Sequence, residues 1–236
     1  DDFFMYDDSP SARVGIYYYE NGAYPRKPKV IYDRANSSFY SLKIDEIPEK
    51  AYTASRCFHT SGITLALSPK VRETTIEMIK RFKAAGTLVS FDVNFRGNLW
   101  TGEEAKECIE QILPYVDIFF CSEDTARLTF KKTGTAREMM KSFTEEYPIS
   151  IVASTQRIVH SPKSHTFGSI IYDARKDIYY EEEPYRDIDV VDRIGSGDAY
   201  ISGALYGLLT SNFDCEKAVR YGNATSAVKN TIPGDL

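Results

Sequence analysis

Several signatures of common site types are missing from this sequence. Its four cysteines lie far apart and form no C-x-x-C pair, so the pattern indicates neither a disulfide framework nor a zinc site and predicts buried free thiols. Histidine is scarce, and no metal-ligand spacing relates His59, His160 and His165. We therefore assign no metal ligand and no catalytic histidine.

Long apolar runs and an excess of positive charge are also missing. No stretch approaches the roughly 18 apolar residues that cross a bilayer, and the first residues lack the basic-then-apolar order of a signal peptide. A cytoplasmic protein without a membrane partner is expected. Lys and Arg total 29 against 34 Asp and Glu, which gives a net charge of -5 at pH 7 and a pI near 5.4. Such a chain has no broad positive field for nucleic acid, and we expect no nucleic-acid partner.

The composition is that of a packed globular protein. Of the 236 residues, 42% are hydrophobic and 27% are charged, which are ordinary values for a folded chain. This length allows one large domain with a buried core, or a large domain with a small appendage.

From residue 57 onward, short apolar runs alternate with longer segments of helical period. This alternation is typical of a parallel sheet flanked by helices, and it predicts an α/β sandwich. Strands are predicted at residues 57–62, 87–92, 116–121 and 149–154, with a hairpin formed by 169–173 and 177–181. Helices are predicted at residues 69–85, 101–113, 122–130, 135–147, 196–209 and 215–230.

The first fifty residues follow a different pattern. Residues 14–19 and 29–32 alternate in the manner of strands around an Asn21-Gly22 turn signal. We predict a small β-lid with its connections over residues 1–50 and an α/β domain over residues 51–236. Tyrosines on these strands suit a half-exposed face that covers a polar ligand, although tyrosine on a strand is often a packing residue. Exposed strands also pair readily with those of a second copy, which favours a homodimer through the lid.

The segment from Val190 to Tyr200 carries the clearest chemical motif, because an apolar strand end meets glycines and then a helix. Gly195 and Gly197, with Ser196 between them, let the backbone turn tightly and aim N–H groups at one point. The positive end of the helix dipole adds to this anion hole. A carboxylate in the first helical turn, Asp198, can accept the proton of an attacking hydroxyl. Taken alone, the motif fits a plain glycine turn equally well.

Beyond these residues, the chain is similar to a known family. The run Asp192-Arg193-Ile194-Gly195-Ser196-Gly197-Asp198 resembles the D-T-x-G-A-G-D signature of the ribokinase-like (PfkB) sugar kinases. It departs from that signature at Arg193, where threonine is usual, and at Ser196, where alanine is usual. Segments 58–64 and 91–96 and the pair Leu99-Trp100 resemble stretches of the 2-keto-3-deoxygluconate kinases in particular.

The resemblance implies both a fold and a reaction. The fold is a ribokinase-like three-layer α/β sandwich with a mostly parallel central sheet and a small β-sheet lid. The reaction is transfer of the γ-phosphoryl group of ATP, accompanied by Mg²⁺, to 2-keto-3-deoxygluconate, which gives 2-keto-3-deoxy-6-phosphogluconate. Asp198 would be the base, and Gly195, Ser196 and Gly197 would form the anion hole. Asn223 matches an asparagine beside the adenine, and Ser122 matches a position near the phosphates, although both residue types also have plain structural uses in helices.

A sugar acid needs a fixed positive charge, and the planar guanidinium of arginine matches a carboxylate with two parallel hydrogen bonds. Arg34, together with Tyr32, matches the tyrosine-x-arginine pattern on the lid of the keto-deoxygluconate kinases. Arg96 matches the arginine after their third sheet strand, and Tyr17 matches a lid tyrosine. Either arginine alone fits a solvated surface role, but the two together favour an acid substrate over a neutral sugar.

Two departures from the family pattern leave alternatives open. The first strand of the family and its Gly-Gly-Asn segment have no counterpart before Asp1, so we expect that an N-terminal portion is missing. Ser122 and Thr125 stand where the family has the N-x-x-E pattern that arranges magnesium-bound water, although Glu123 or Asp124 could compensate. Another PfkB sugar kinase, of fructokinase or ribokinase type, is the first alternative, and a non-catalytic sugar-binding relative is the second.

Overall fold

The computed structural model describes residues 9–20, 22–23 and 25–234. Asn21, one half of the predicted turn signal, lies outside this part of the chain. Within it, the chain divides into two compact units, one of residues 9–20 and 28–118 and one of residues 22–23, 25–27 and 119–234. No helix in these ranges is long and apolar enough to cross a membrane. The lid boundary at residue 50 stays a prediction.

The first unit contains a two-stranded antiparallel ladder and a parallel strand pair with helices. Its strands are β1 (Ile16–Glu20), β2 (Lys29–Asp33), β3 (Cys57–Ser61) and β4 (Leu88–Asp92). Its helices are α1 (Glu49–Ala54), α2 (Gly62–Ala66), α3 (Pro69–Ala84) and α4 (Gly102–Glu110). Short 3₁₀ turns occupy Ser38–Ser41, Ile44–Glu46 and Leu113–Tyr115. β1 pairs antiparallel with β2, and β3 pairs parallel with β4.

The longest helix of this unit, α3, begins and packs as its sequence predicts. The Ser68 hydroxyl accepts a hydrogen bond from the Val71 N–H at 3.2 Å, and Pro69 occupies the first turn, where its missing N–H costs nothing. The buried face of α3 includes Phe82, whose ring stacks on Phe58 of β3 with centroids 4.2 Å apart. The helix is thereby fixed to the parallel strands.

The second unit carries the longer strands and the two C-terminal helices. The short strand β5 (Ile118–Phe120) leads into it, followed by β6 (Ile151–Ser161), β7 (Ser164–Asp173), β8 (Ile178–Glu181) and β9 (Tyr185–Asp189). Its helices are α5 (Glu123–Leu128), α6 (Ala136–Glu146), α7 (Ser196–Thr210) and α8 (Cys215–Asn230). β6 and β7 form an antiparallel hairpin, and β7 also pairs antiparallel with β8 at one end and with β9 at the other.

Adjacent aromatic residues in β5 show how the helices cover both faces of this unit. Successive strand side chains point to opposite faces. Phe119 contacts Phe143 of α6 at a centroid distance of 5.0 Å. Phe120 contacts Tyr200 of α7 at 6.1 Å. Helix α6 and helix α7 therefore lie on opposite sides of the strand.

One sequence prediction was wrong in this unit. The strand predicted at 149–154 runs on to Ser161, and its partner β7 begins at Ser164 instead of residue 169. The buried apolar part of β6 ends at Ser154. Its remaining residues are mostly exposed and pair with the largely buried start of β7, so this extension depends on cross-strand pairing. β9 and the short α1 and α2 were not predicted at all.

The free thiols expected from the sequence are confirmed. Cys108, Cys121 and Cys215 are buried, and Cys57 is partly buried. Burial, reinforced by the carboxylate of Asp117, raises the pKa of Cys57 to about 11. Burial, with a further contribution from Asp173, raises the pKa of Cys215 to about 12. Both sulfurs are therefore protonated and unreactive at neutral pH.

Candidate active site

The predicted anion hole lies at the start of α7. Gly195 is the residue before the helix and has a φ of 75°, a left-handed conformation that favours glycine. The Ser196 N–H donates to the Arg193 carbonyl at 3.1 Å, and the Ala199 N–H donates to the Gly195 carbonyl at 2.8 Å. A Cβ added at Gly197 would meet nothing within 4 Å. The first helical turn thus has open space beside its backbone, where an anion can approach.

The first aspartate of the motif holds this turn in place. Asp192 is only 9% exposed. One carboxylate oxygen accepts the Ile194 N–H at 3.0 Å, and the other accepts the Gly234 N–H at 3.2 Å. Its own N–H donates to the carbonyl of Asn230 at 3.2 Å. Asp192 is therefore a structural anchor that ties the glycine turn to the end of α8.

The second aspartate has a different environment. Asp198 is exposed and lies in the first turn of α7, one residue after Gly197. Two residues later, Tyr200 is buried and packs closely against Gly222 of α8. A Cβ added at Gly222 would lie only 2.7 Å from the nearest atom of the Tyr200 ring. This packing fixes the turn of helix that carries Asp198, so a solvent-accessible carboxylate sits on a rigid support.

The lid residues singled out in the sequence lie together. Tyr17 and Tyr32 are direct partners across the β1–β2 ladder, with ring centroids 6.4 Å apart. The Arg34 guanidinium carbon lies 3.9 Å from the centroid of the Tyr32 ring, which is a close cation–π contact. Both tyrosines are partly exposed, so the rings present one face to solvent.

A cavity of about 200 Å³ brings the two predicted arginines to one place in the first unit. Its lining residues are Tyr32, Arg34, Ala35, Tyr40, Arg96, Asn98 and Leu99. Arg96 donates to the Phe95 carbonyl at 3.1 Å. Neither Arg34 nor Arg96 forms a salt bridge with any residue that the structure describes. Two guanidinium groups without a carboxylate partner suit an anionic ligand.

Sequence analysis missed two polar residues of this cavity. Tyr40 lies in a short 3₁₀ turn and Asn98 lies in an irregular segment after β4. Neither stands in a periodic pattern, and only the folded chain brings them beside Arg34 and Arg96. They add a hydroxyl and an amide that can bind sugar hydroxyls or a keto oxygen.

The predicted nucleotide residues Ser122 and Asn223 have specific internal partners. Ser122 caps α5, where its hydroxyl oxygen accepts the Thr125 N–H at 3.2 Å and its hydroxyl donates to Thr125 Oγ1 at 2.9 Å. Asn223 is 1% exposed, and its Oδ1 accepts from the Ser169 hydroxyl at 2.7 Å. Its Nδ2 has no hydrogen-bond partner within the described part of the chain.

Within the described part of the chain, potential metal-ligand side chains do not group together. In residues 9–20, 22–23 and 25–234, no three His, Cys, Asp or Glu side chains group together. Ser122 and Thr125 bind each other, and Glu123 pairs with Arg127 at 2.9 Å.

Comparison with known proteins gives a consistent family. The sequence profile of the pfkB family carbohydrate kinases matches residues 5–235. A protein of Haloferax volcanii named 2-dehydro-3-deoxygalactonokinase is 35% identical over 234 residues, which cover 99% of this chain and 69% of that protein. The 2-dehydro-3-deoxygluconokinase of Bacillus subtilis is 28% identical over 213 residues, which cover 89% of this chain and 61% of the relative. The chain thus spans about two thirds of the length of these relatives.

A solved structure gives the same result for the fold. The crystal structure of the 2-dehydro-3-deoxygluconokinase of Thermotoga maritima is similar with a TM-score of 0.88 and 30% identity, over 96% of this chain and 70% of that one. The 2-dehydro and 2-keto names denote the same acid. The ribokinase-like α/β fold and the resemblance to keto-deoxygluconate kinases that we inferred from the sequence are confirmed.

Proposed function

The chain belongs to the pfkB family of carbohydrate kinases, and from this premise we propose that it phosphorylates 2-keto-3-deoxygluconate with ATP. The products would be ADP and 2-keto-3-deoxy-6-phosphogluconate. The observation that carries the choice of an acid is the cavity lined by Arg34 and Arg96, two cations that form no salt bridge with any described residue. A neutral sugar would leave both guanidinium groups uncompensated, whereas a carboxylate satisfies them with paired hydrogen bonds.

In the proposed reaction, the 6-hydroxyl oxygen of the acid forms a bond to the γ-phosphorus of ATP. The bond from that phosphorus to the β,γ-bridging oxygen breaks, and its electron pair leaves with ADP. The hydroxyl proton passes to the Asp198 carboxylate, which is exposed on the first turn of α7. The backbone N–H groups of Gly195 and Gly197 would stabilise the negative charge on the transferred phosphoryl group, and Ser196, whose N–H donates to the Arg193 carbonyl, would hold the turn in shape.

The donor is proposed to be ATP with Mg²⁺ bound to its phosphates. The open backbone at Gly197 supports phosphate approach to the start of α7. Ser122 and Asn223 remain proposed nucleotide residues. Asn223 is buried and Ser122 caps a helix. These two residues would therefore support the backbone around the nucleotide as well as contact the nucleotide directly.

A second sugar acid has specific support. The Haloferax volcanii relative is named for 2-dehydro-3-deoxygalactonate, which differs from the gluconate compound only in the configuration of one hydroxyl. Both acids present the same carboxylate to Arg34 and Arg96. Discrimination between them would therefore depend on neutral polar groups such as Tyr40 and Asn98, which line the same cavity.

A lid-mediated homodimer remains part of the proposal. One face of the β1–β2 ladder exposes Ile16, Tyr18 and Ile31, which is an apolar surface suited to a second copy. Light scattering on a size-exclusion column would test it, since a monomer at all concentrations contradicts the dimer.

The proposed reaction is tested with one panel of acceptors. ADP release would be measured with 2-keto-3-deoxygluconate, 2-keto-3-deoxygalactonate, fructose and ribose. Turnover with one or both acids and not with the neutral sugars is expected. Turnover with a neutral sugar alone would contradict the acid assignment, and binding of the acid without any turnover would favour a non-catalytic sugar-binding protein.

A further inference from the structure

We infer that Arg157 and Arg193 form a second cationic grip on the phosphate chain of the donor nucleotide, beside the N–H groups at the start of α7. The inference rests on the proposed function, because it assigns residues to the donor of that reaction. Three observations within the second unit carry it: the strand face that holds Arg157, the turn that holds Arg193, and the lack of a salt bridge from either arginine to a described residue. Charge repulsion between the two arginines supports it.

Arg157 lies on the strand face that packs against α7. In the β6–β7 hairpin, Arg157 is directly opposite Phe167, and directly opposed residues share one face of the sheet. The Phe167 ring contacts Tyr200 of α7 at a centroid distance of 5.8 Å. Tyr200 is only two residues beyond Asp198 on the same helix. The face that carries Arg157 therefore lies toward the first turns of α7.

Arg193 belongs to the anion-hole turn itself. Its carbonyl accepts the N–H of Ser196, the first residue of α7, at 3.1 Å. The neighbouring residues Asp192 and Ile194 are joined by a 3.0 Å hydrogen bond that fixes the turn. Arg193 is exposed, so its side chain can reach a ligand. Its position two residues before Gly195 keeps it close to the N–H groups of the turn.

The two guanidinium groups influence each other. Partial loss of hydration, followed by repulsion from Arg193, lowers the pKa of Arg157. Burial, followed by repulsion from Arg157 and Arg193, lowers the pKa of His165. His165 faces Val159 across the hairpin, on the same strand face as Arg157. Positive charge is therefore concentrated beside the glycine turn.

No carboxylate forms a salt bridge with Arg157 or Arg193 within the described residues. Neither Arg157 nor Arg193 has a salt bridge or a side-chain hydrogen bond there, although the chain carries more acidic than basic residues. Other arginines do pair with carboxylates: Arg13, Arg81, Arg127, Arg137, Arg175, Arg186 and Arg220. Two like charges held together beside helix N–H groups without a counterion suit a polyanion.

A nucleoside triphosphate is the polyanion that best fits this arrangement. The guanidinium fork binds phosphate oxygens in pairs, and the N–H groups of the helix start can bind the terminal phosphate at the same time. Adenosine has no phosphate, so Arg157 and Arg193 would not contribute to its binding. The contribution of the arginines should therefore grow with the number of phosphates on the ligand.

The test is calorimetric binding of ATP, ADP and adenosine to the chain and to Arg157→Ala and Arg193→Ala variants, without acceptor. Each variant is expected to weaken ATP binding about tenfold or more, ADP less, and adenosine not at all, given the strength of a charged hydrogen-bond pair. Arg186→Ala is the matched control, because Arg186 is an exposed arginine of the same sheet, on β9, and is paired with Glu183. Its ATP affinity should equal that of the unsubstituted chain.

Two results would overturn the inference. One is an ATP affinity in both variants that equals that of Arg186→Ala; the other is a raised KM for the sugar acid with unchanged ATP binding. Arg157→Lys and Arg193→Lys keep the charge and lose the forked guanidinium. Their affinity for ATP should lie between that of the alanine variants and that of the unsubstituted chain, and they replace an alanine variant that does not fold. A chain that binds ATP in this arginine-dependent way without phosphorylating any acid would contradict only the proposed reaction.

Discussion

The Arg34 guanidinium carbon lies 3.9 Å from the centroid of the Tyr32 ring, and both side chains line the same cavity as Arg96. A cation–π contact of this kind restrains the guanidinium and does not use up its N–H donors. The lid therefore presents a fixed hydrogen-bonding edge to the cavity, which is the property that a carboxylate clamp requires. A lysine could not supply it.

Arg34→Ala should separate acid from neutral substrates. We expect the KM for 2-keto-3-deoxygluconate to rise about tenfold or more, since a charged hydrogen-bond pair contributes about 1.5–3 kcal/mol. The KM for 3-deoxyfructose, which carries a hydroxymethyl group in place of the carboxylate, should change little. Steady-state kinetics with both compounds checks this.

Lys29→Ala is the matched control for Arg34→Ala, because it removes one positive charge from the same β1–β2 ladder outside the cavity. It should leave both KM values unchanged. Equal increases for acid and neutral compound in Arg34→Ala would remove the carboxylate argument.

Gly207→Ala should destabilise the fold without touching the site. An added Cβ at Gly207 would lie 2.7 Å from the Cα of Ala218, so α7 and α8 would have to move apart. Overpacking of this kind costs about 1–3 kcal/mol, measurable by urea unfolding. Ser202→Ala, an exposed change on the same helix, should stay within about 0.5 kcal/mol of the unsubstituted chain. Equal stability of the two variants would contradict the close helix contact.

Asp173 should make part of the stability depend on pH. Its carboxylate is fully buried, which alone would raise its pKa, but the Arg175 guanidinium binds both oxygens, at 2.8 and 2.7 Å, and the net effect lowers the pKa. A group with a lowered folded pKa stabilises above its unfolded pKa of about 3.9 and loses that contribution as pH falls through the folded value.

The Asp173→Asn substitution should accordingly lower the free energy of unfolding most at neutral pH, by about 1–3 kcal/mol, because Arg175 is partly exposed and can be hydrated once the carboxylate is removed. The difference in unfolding free energy from the unsubstituted chain should shrink as pH is lowered from about 5 to about 2. Denaturant titrations across this range check it, with Glu145→Gln as an exposed control. A difference that is independent of pH would show that the carboxylate charge is not responsible.

Much of the fold could be predicted because its signals are local. The Ser68 cap and Pro69 define the start of α3, and the glycines at 195 and 197 define the start of α7. The extension of β6 beyond Ser154 could not be predicted in the same way, since it depends on pairing with β7 and not on an apolar run. Strand β9 is short and polar, with the burial of Ile188 as its main apolar feature.

In the candidate site, too, some residues could be predicted from local motifs and others could not. Arg34, Arg96 and Asp198 stand in short segments that resemble family motifs, which is why the sequence predicts them as site residues. Tyr40 and Asn98 do not, because irregular backbone brings them to the cavity. The internal roles of Asp192 and Asn223 also depend on distant partners, Gly234 at 42 residues and Ser169 at 54 residues along the chain, and no local pattern encodes them.

The most direct test of the whole account is the turnover of Asp198→Asn with MgATP and 2-keto-3-deoxygluconate. The substitution keeps the shape of the side chain and removes the proton acceptor. We expect kcat to fall by about 10² or more while the affinity for ATP, measured by calorimetry, is retained. Turnover close to that of the unsubstituted chain would contradict the assignment of Asp198 as the base.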